Sequence, residues 1–177
     1  MRTEVAPGIH RFANPVVNWY LIVTDDGITA IDAGFPPDWQ HLCLALEWFG
    51  RTFADLEAIV ITHAHVDHLG FAERARRDAS ATVYVPAGDA QLVRHPLRAA
   101  KSERNPLRYV LRQAPTRRLY WEALKQGGVR GEVLRDFTTY TDGQVLPVPG
   151  APSVVFTPGH TFGHSALLLE DLSLIHI

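Results

Sequence analysis

The feature that most constrains the fold is an apolar run that leads directly into a dense group of histidines. Leu56–Ile61 has the composition of a buried strand, and the sequence continues as Thr-His-Ala-His-Val-Asp-His over 62–68. Residues 69–79 have a helical pattern, and 82–85 are again rich in β-forming residues. The order strand, histidine segment, helix, strand predicts a βαβ unit. Ligands of such sheets gather at the carboxyl ends of the strands, where we expect His63 to lie.

The histidine segment has the composition of a metal site. His63 and His65 are two residues apart in extended backbone, so both side chains project to one side. A loop after the strand lets Asp67 and His68 turn toward the same cavity, and imidazole and carboxylate are ligands of zinc and related divalent ions. A polar loop that happens to contain histidines is the alternative, but four potential ligands in six residues argue against it.

A second histidine lies in a similar setting near the end of the chain. His160 follows Thr157-Pro158-Gly159 after a predicted strand at 154–156. Proline and glycine favour a tight turn that would hold the imidazole at the tip of the strand. Together with His63 and His65, His160 supplies the third nitrogen ligand that a tetrahedral site requires.

The remaining pattern predicts one α/β domain over 1–171. Strands at 19–23 and 28–32 flank the turn Asp25-Asp26-Gly27, and a helix begins at Pro36-Pro37-Asp38 and ends at Gly50. The chain has a single cysteine, Cys43, which we interpret as a core residue. His10, His41 and His95 have no motif around them and are expected to be packing or surface residues. An inserted segment at about 88–128 is predicted to be helical, and further strands are predicted at 133–139, 144–148, 154–156 and from 166.

These motifs resemble those of the metallo-β-lactamase superfamily. The similarity rests on Thr-His-Ala-His-Val-Asp-His-Leu-Gly at 62–70, Ile-Asp-Ala-Gly at 31–34 and Thr-Pro-Gly-His-Thr at 157–161, in the order and spacing of that family. It extends over about 5–171. The first motif is specific for the superfamily but not for a substrate, and glyoxalase II-like enzymes are among the members that share it.

The resemblance implies an αββα sandwich with two divalent metal ions between its sheets, with zinc expected and iron or manganese as alternatives. It implies that His63, His65 and His160 bind the first ion, and that Asp67 and His68 belong to the second. A metal ion lowers the pKa of bound water from about 15.7 to near 7, so a metal-bound hydroxide would attack the substrate. Asp67 would orient this nucleophile as the catalytic residue.

Two more residues are expected next to the ligands. Asp32 would orient the metal loops through hydrogen bonds, although a role as a cap of the turn after its strand is the alternative. His164 is expected to have a structural or hydrogen-bonding role rather than to bind the metal.

The sequence departs from the family pattern after residue 165. The superfamily has a further Asp that bridges both metals and a last His, and we assign neither here; His176 is too close to His160 for that role. The final residues, Leu-Ser-Leu-Ile-His-Ile at 172–177, match the translation of the transposon end used in sequencing libraries. We therefore expect the natural residues to end at Asp171, the second sheet to be incomplete, metal binding to be weak and activity to be poor, with the full-length parent as the enzyme; a genuine β-strand tail is the alternative.

The segment 94–135 is basic, with eleven Lys or Arg and three Glu, so its charge is +8 within a chain of net charge −2. Such a segment attracts anionic substrates, although a solvated helix face is an alternative. Its pattern matches no known nucleic-acid module, so a small-molecule substrate is expected and nucleic acid is not. The oligomeric state is not predicted. Candidate substrate contacts include the basic residues Arg98, Arg104, Arg108, Arg112 and Arg117 and the aromatic residues Tyr109, Tyr120 and Trp121.

These features predict a metal-dependent hydrolase of a small ester-like substrate, a thioester or a lactone. The alternatives are β-lactamase or phosphodiesterase activity, a diiron or persulfide-dioxygenase type of redox protein, and a metal-binding protein without catalysis. No apolar stretch approaches the roughly 20 residues needed to cross a bilayer, and the N-terminus lacks the pattern of a secretory signal. A cytoplasmic location away from membranes is therefore expected.

Overall fold

Seven strands form the larger of two sheets. The structure is a computed structural model that describes residues 2–95, 114–127, 133–169 and 172–175. The first four strands pair antiparallel, and β4 to β7 pair parallel. Neighbours in the sheet follow chain order: β1 Arg2–Ala6, β2 Ile9–Ala13, β3 Asn18–Val23, β4 Ile28–Ile31, β5 Leu56–Val60, β6 Thr82–Pro86 and β7 Thr138–Tyr140.

Helices connect the parallel strands. Helix α1, Asp38–Trp48, lies between β4 and β5, α2, Ala72–Asp78, between β5 and β6, and α3, Ala114–Lys125, between β6 and β7. Gly50 ends α1 with a positive φ of 65°, and the backbone N–H groups of Gly50 and Arg51 donate to the last carbonyls of the helix. A residue in this conformation favours glycine, which is why the helix ends where the sequence predicts.

A second, three-stranded sheet follows in the sequence. It is antiparallel in the order β10-β9-β8, with β8 at Ser153–Phe156, β9 at Ser165–Leu169 and β10 at Leu172–Ile175. Strand β10 falls in the segment that we attribute to adaptor sequence. It pairs with β9, as the alternative of a genuine β-strand tail predicts. The adaptor origin of this segment stays a prediction.

The apolar residues alternate between two cores. Trp19, Leu21 and Ala30 pack with the helices α1 and α2 on one face of the larger sheet. Ile22 and Ile31 point to the opposite face and pack with residues of the second sheet, including Val154, Leu167 and Leu169. Because the central strands are covered on both faces, they are apolar almost throughout, as buried strands are. The described residues thus form a helical layer and two sheets, which confirms the predicted α/β class.

Two predicted strands differ from the structure. The segment 133–139 is extended only from Thr138, because Val133 is exposed and Leu134 alone is buried. The segment 144–148 is not a strand, and only Val145 makes an isolated bridge, to Ser153. Pro147 and the nearby prolines lack the N–H group that a ladder needs. Among the described helices, none is long and apolar enough to cross a membrane.

Candidate metal centre

The predicted histidine segment forms the loop at the carboxyl end of β5. The strand ends at Val60, and a short 3-10 turn over Val66–His68 reverses the chain. His63 and His68 are buried, whereas His65 is partly exposed. The ring of His63 lies 4.7 Å from that of His65 and 4.0 Å from that of His68, measured between centroids. The βαβ unit therefore places these rings in one cluster, as its sequence predicts.

His160 reaches this cluster from the loop between β8 and β9. Its ring centroid lies 4.8 Å from that of His63 and 4.5 Å from that of His65. One ring nitrogen from each of the three histidines lies within 4.8 Å of the others. His160 is exposed, so the cluster opens to solvent on this side. The two loops meet although nearly a hundred residues separate them in the sequence.

The protonation pattern around His63 suits metal binding. The Thr62 hydroxyl donates its single proton to Asp32 Oδ2, 2.8 Å away, and lies 3.0 Å from His63 Nδ1. His63 Nδ1 must then be the N–H donor of that contact, which leaves the lone pair on Nε2. Among the described atoms, Nε2 is buried without a hydrogen-bond partner. Burial, and then repulsion from the neighbouring histidines, lowers the pKa of His63, so its ring is the neutral form that a divalent ion binds.

Asp32 connects the end of β4 to both halves of the histidine segment. Its carboxylate accepts hydrogen bonds from the Thr62 N–H at 2.7 Å and from His68 Nδ1 at 2.8 Å, besides the Thr62 hydroxyl. Burial by itself lowers the pKa of His68, but the charge and hydrogen bond of Asp32 offset this and raise it. These contacts are those expected of a residue that orients metal loops, and the role itself stays a prediction.

Asp67 and His68 lie side by side, as the second site would require. His68 Nε2 is 3.6 Å from Asp67 Oδ2, while His68 Nδ1 is held by Asp32. The side chain of Asp67 is about a quarter exposed, so it borders the open side of the cluster. A carboxylate and an imidazole nitrogen are thus adjacent next to the three-histidine group.

His164 is buried beside the same group. Its Nδ1 lies 2.8 Å from the Thr157 hydroxyl and 3.1 Å from the Thr157 carbonyl, and its ring centroid is 5.0 Å from that of His63. A nitrogen anchored within its own loop fits the predicted hydrogen-bonding role.

Comparisons with known proteins agree with this geometry. The model of a protein family, described as the metallo-beta-lactamase superfamily, matches residues 14–174. The chain belongs to the metallo-β-lactamase superfamily. A probable metallo-hydrolase of Bacillus subtilis, YflN, is 26% identical over 178 aligned residues, which are 95% of this chain and 62% of the relative.

Solved structures of the superfamily share the fold. A metallo-β-lactamase from Cronobacter sakazakii has a TM-score of 0.71 and 21% identity, over 98% of this chain and 62% of that one. The FEZ-1 metallo-β-lactamase from Legionella gormanii has a TM-score of 0.65 and 19% identity, over 92% and 55%. This superfamily chain therefore spans between about half and two thirds of the length of these relatives.

The described part of the structure does not place the predicted substrate-contacting residues at the histidine cluster. Arg98, Arg104, Arg108, Tyr109 and Arg112 lie outside the described residues. Trp121, on α3, is 60% exposed, and Arg117 is also exposed. Of Tyr120 only the helical backbone is described. Their role in substrate binding stays a prediction.

Sequence analysis missed Asp89, the residue that joins the two metal loops. Asp89 lies in a short turn just after β6, and its side chain is fully buried. Its carboxylate accepts hydrogen bonds from Ala64 N–H, Thr161 Oγ1 and Gly163 N–H. One signal was present in the sequence, because an acidic residue after the next parallel strand falls at the same edge of the sheet as His63.

Proposed function

We propose that this superfamily member is a metal-dependent hydrolase of a small ester-like substrate, a thioester or a lactone. The observation that supports this most directly is the convergence of His63, His65 and His160, with His63 Nε2 buried, neutral and unpaired. A buried nitrogen without a hydrogen-bond partner destabilises the folded protein unless another group binds it. A divalent ion is a suitable group, because three imidazoles are common ligands of such ions. The first ion would be held by these three histidines.

The neighbouring residues have separate tasks in this proposal. A divalent ion, for which we propose zinc, would acidify water at neutral pH and polarise the oxygen of a substrate carbonyl. Asp67 and His68 would contribute to a second ion, and the partly exposed Asp67 carboxylate would orient the attacking water and accept its proton. Asp32 would hold His68 and Thr62 in place through the hydrogen bonds described above.

The surface around the cluster supports a small substrate with an apolar group. His160 is exposed, and Phe162, two residues further along the same loop, is 58% exposed. An exposed phenyl ring on the loop that carries His160 would offer contact area to an acyl chain. The basic segment 94–135 would attract an anionic substrate. A cytoplasmic location without membrane or nucleic-acid partners is part of the same proposal.

Metal content and activity test this proposal together. The 177-residue chain and the variants His63→Ala and His95→Ala are loaded with zinc, and bound metal is measured by mass spectrometry. His95 is exposed and outside the cluster, so its variant should keep the zinc of the wild type, whereas His63→Ala should lose it. Equal zinc in both variants contradicts the metal site.

The substrate class is tested with a panel of thioester, lactone, β-lactam and phosphodiester compounds. We expect hydrolysis of the thioester or the lactone, abolished by His63→Ala and retained by His95→Ala. Preferential hydrolysis of the β-lactam or the phosphodiester would replace the proposed substrate class. Iron rather than zinc in protein purified without added metal would favour the redox type of function.

A further inference from the structure

We infer that Asp89 is a positioning residue that holds the two metal-binding loops at the separation the three-histidine site needs. This inference rests on the proposed metal site and extends it to a residue that does not itself belong to the ligand set. Asp89 Oδ2 accepts the Ala64 N–H at 3.0 Å and the Thr161 hydroxyl at 2.6 Å, and Oδ1 accepts the Gly163 N–H at 2.8 Å.

The donors of these bonds stand next to the proposed ligands. Ala64 is the residue between His63 and His65, and Thr161 follows His160. One rigid carboxylate therefore bonds to both sides of the cluster, and we call this arrangement the Asp89 bridge. Displacing either loop would separate His160 from the other two histidines, because the ligands are only one residue away from the bonded groups.

The backbone around the Asp89 bridge is packed without space for adjustment. A Cβ atom built on Gly88 would lie 2.9 Å from Gly163 Cα, and one built on Gly163 would lie 2.8 Å from Asp89 N. Real Cβ contacts are longer, so glycine at both positions lets the turn that carries Asp89 lie directly against the His160 loop. Backbone contact therefore keeps the His160 loop from moving closer to the Asp89 turn, and the hydrogen bonds of Asp89 keep it from moving away.

The bridge requires an acceptor at both carboxylate oxygens. The three partners are donors, and a fully buried carboxylate is stabilised by such bonds. In Asp89→Asn the shape is kept, but the amide nitrogen must face at least one of these donors in either orientation. The substitution therefore removes the bridge with little change in volume.

Asp38 provides a matched control in the same chain. It is also almost fully buried, and its carboxylate contacts Asn14 Nδ2, the Phe35 N–H and His41 Nδ1 at 3.1, 2.9 and 2.9 Å. It lies at the start of α1 and contacts neither loop of the three-histidine group in these bonds. Asp38→Asn should perturb stability as Asp89→Asn does, but without moving the metal ligands.

The experiment compares zinc affinity in the wild type, Asp89→Asn and Asp38→Asn, with the thermal midpoint of each metal-free protein measured alongside. Changes in residues that orient metal ligands weaken affinity by about 10- to 100-fold, and we expect this for Asp89→Asn only. Thr161→Val should weaken zinc binding in the same direction, and Thr161→Ser, which keeps the hydroxyl, should restore it. Wild-type affinity in Asp89→Asn, or an equal loss in Asp38→Asn, would overturn the inference.

A second measurement separates this inference from the proposed function. Amide hydrogen exchange of Ala64 and Gly163 is followed by NMR in the three metal-free proteins. Protection of both amides that is lost in Asp89→Asn and kept in Asp38→Asn supports the bridge. If the wild type takes up no zinc, the proposed function is wrong, and the bridge is judged by this exchange alone: equal protection in all three proteins overturns it.

Discussion

The Tyr140 hydroxyl donates a hydrogen bond of 2.7 Å to the backbone carbonyl of Ile61, two residues before the first histidine of the cluster. Tyr140 is fully buried on β7, and burial raises the pKa of its hydroxyl well above the ordinary value, so the group stays a donor. Tyr140→Phe leaves the Ile61 carbonyl without this donor. We expect a loss of about 1–3 kcal/mol in the free energy of unfolding, measured with urea. An unchanged urea midpoint would contradict it.

Asp32→Asn should change the titration of His68. With the carboxylate charge removed, the effect of burial on His68 is no longer offset, so its pKa should fall in the variant. NMR titration of the metal-free protein measures this. Asp25→Asn, an exposed position in the turn after β3, serves as the control and should leave the His68 titration as in the wild type. A His68 pKa that does not fall in Asp32→Asn would show that Asp32 does not determine it.

Leu42 and Leu44 lie on the same helix, α1, but in opposite environments. Leu42 is fully buried in the core between α1 and the larger sheet, and Leu44 is 63% exposed. Leu42→Ala should reduce the free energy of unfolding by about 2–5 kcal/mol through lost burial and a cavity. Leu44→Ala should change it by less than about 0.5 kcal/mol. Similar losses in the two variants would contradict the assignment of the inner face of α1.

His10 should make the protein less stable below about pH 6.5. Burial lowers its pKa in the folded state; the carboxylate of Glu4 acts in the opposite direction, and Arg2 adds to the lowering. Between the folded pKa and the unfolded value of about 6.5, the unfolded chain binds more protons, so stability rises with pH. The stability that the neutral His10 ring contributes is fully present above about pH 6.5 and is lost as the pH falls toward the pKa of His10 in the folded state.

His10→Phe keeps an aromatic ring beside Phe49, whose ring centroid is 4.6 Å away, but does not titrate. Lowering the pH from 7.5 to 5 should reduce the free energy of unfolding of the wild type more than that of His10→Phe. Urea denaturation of both proteins at the two pH values measures this. A difference that is constant over this range would show that His10 does not contribute.

Sequence predicted those parts of the molecule that depend on local pattern. The buried run before His63, the helix ended by Gly50 and the strands on both sides of the Asp25–Gly27 turn appear where their residues indicate. The sequence around His160 also indicated a turn after a strand, and the structure places that ring against His63 and His65. The strand expected at 144–148 was wrong because Pro147, in the middle of its β-forming residues, has no N–H group to donate to a neighbouring strand.

The arrangement around Asp89 could not be predicted in this way. Its three donors lie 25, 72 and 74 residues away, so no local spacing relates them. An isolated aspartate after a strand is typical of a turn, and only the folded structure shows that this turn contacts the loop between β8 and β9. The double contact of Thr62 with Asp32 and His63 likewise depends on β4 and β5 being neighbours in the sheet.

The Asp89 bridge also has a consequence for the order in which the chain folds. The bonds of Asp89 to Thr161 and Gly163 join residues 72 and 74 positions apart, and such contacts form late because the loop between them must close first. The larger sheet up to β6 can pair from neighbouring segments, with His63 and His65 already presented at its edge. His160 and the donors of its loop can join only after the chain beyond β8 has been synthesised. A nascent chain that ends before His160 has His63 and His65 but lacks the third ligand of the proposed site. We therefore expect zinc to bind after folding rather than to guide it.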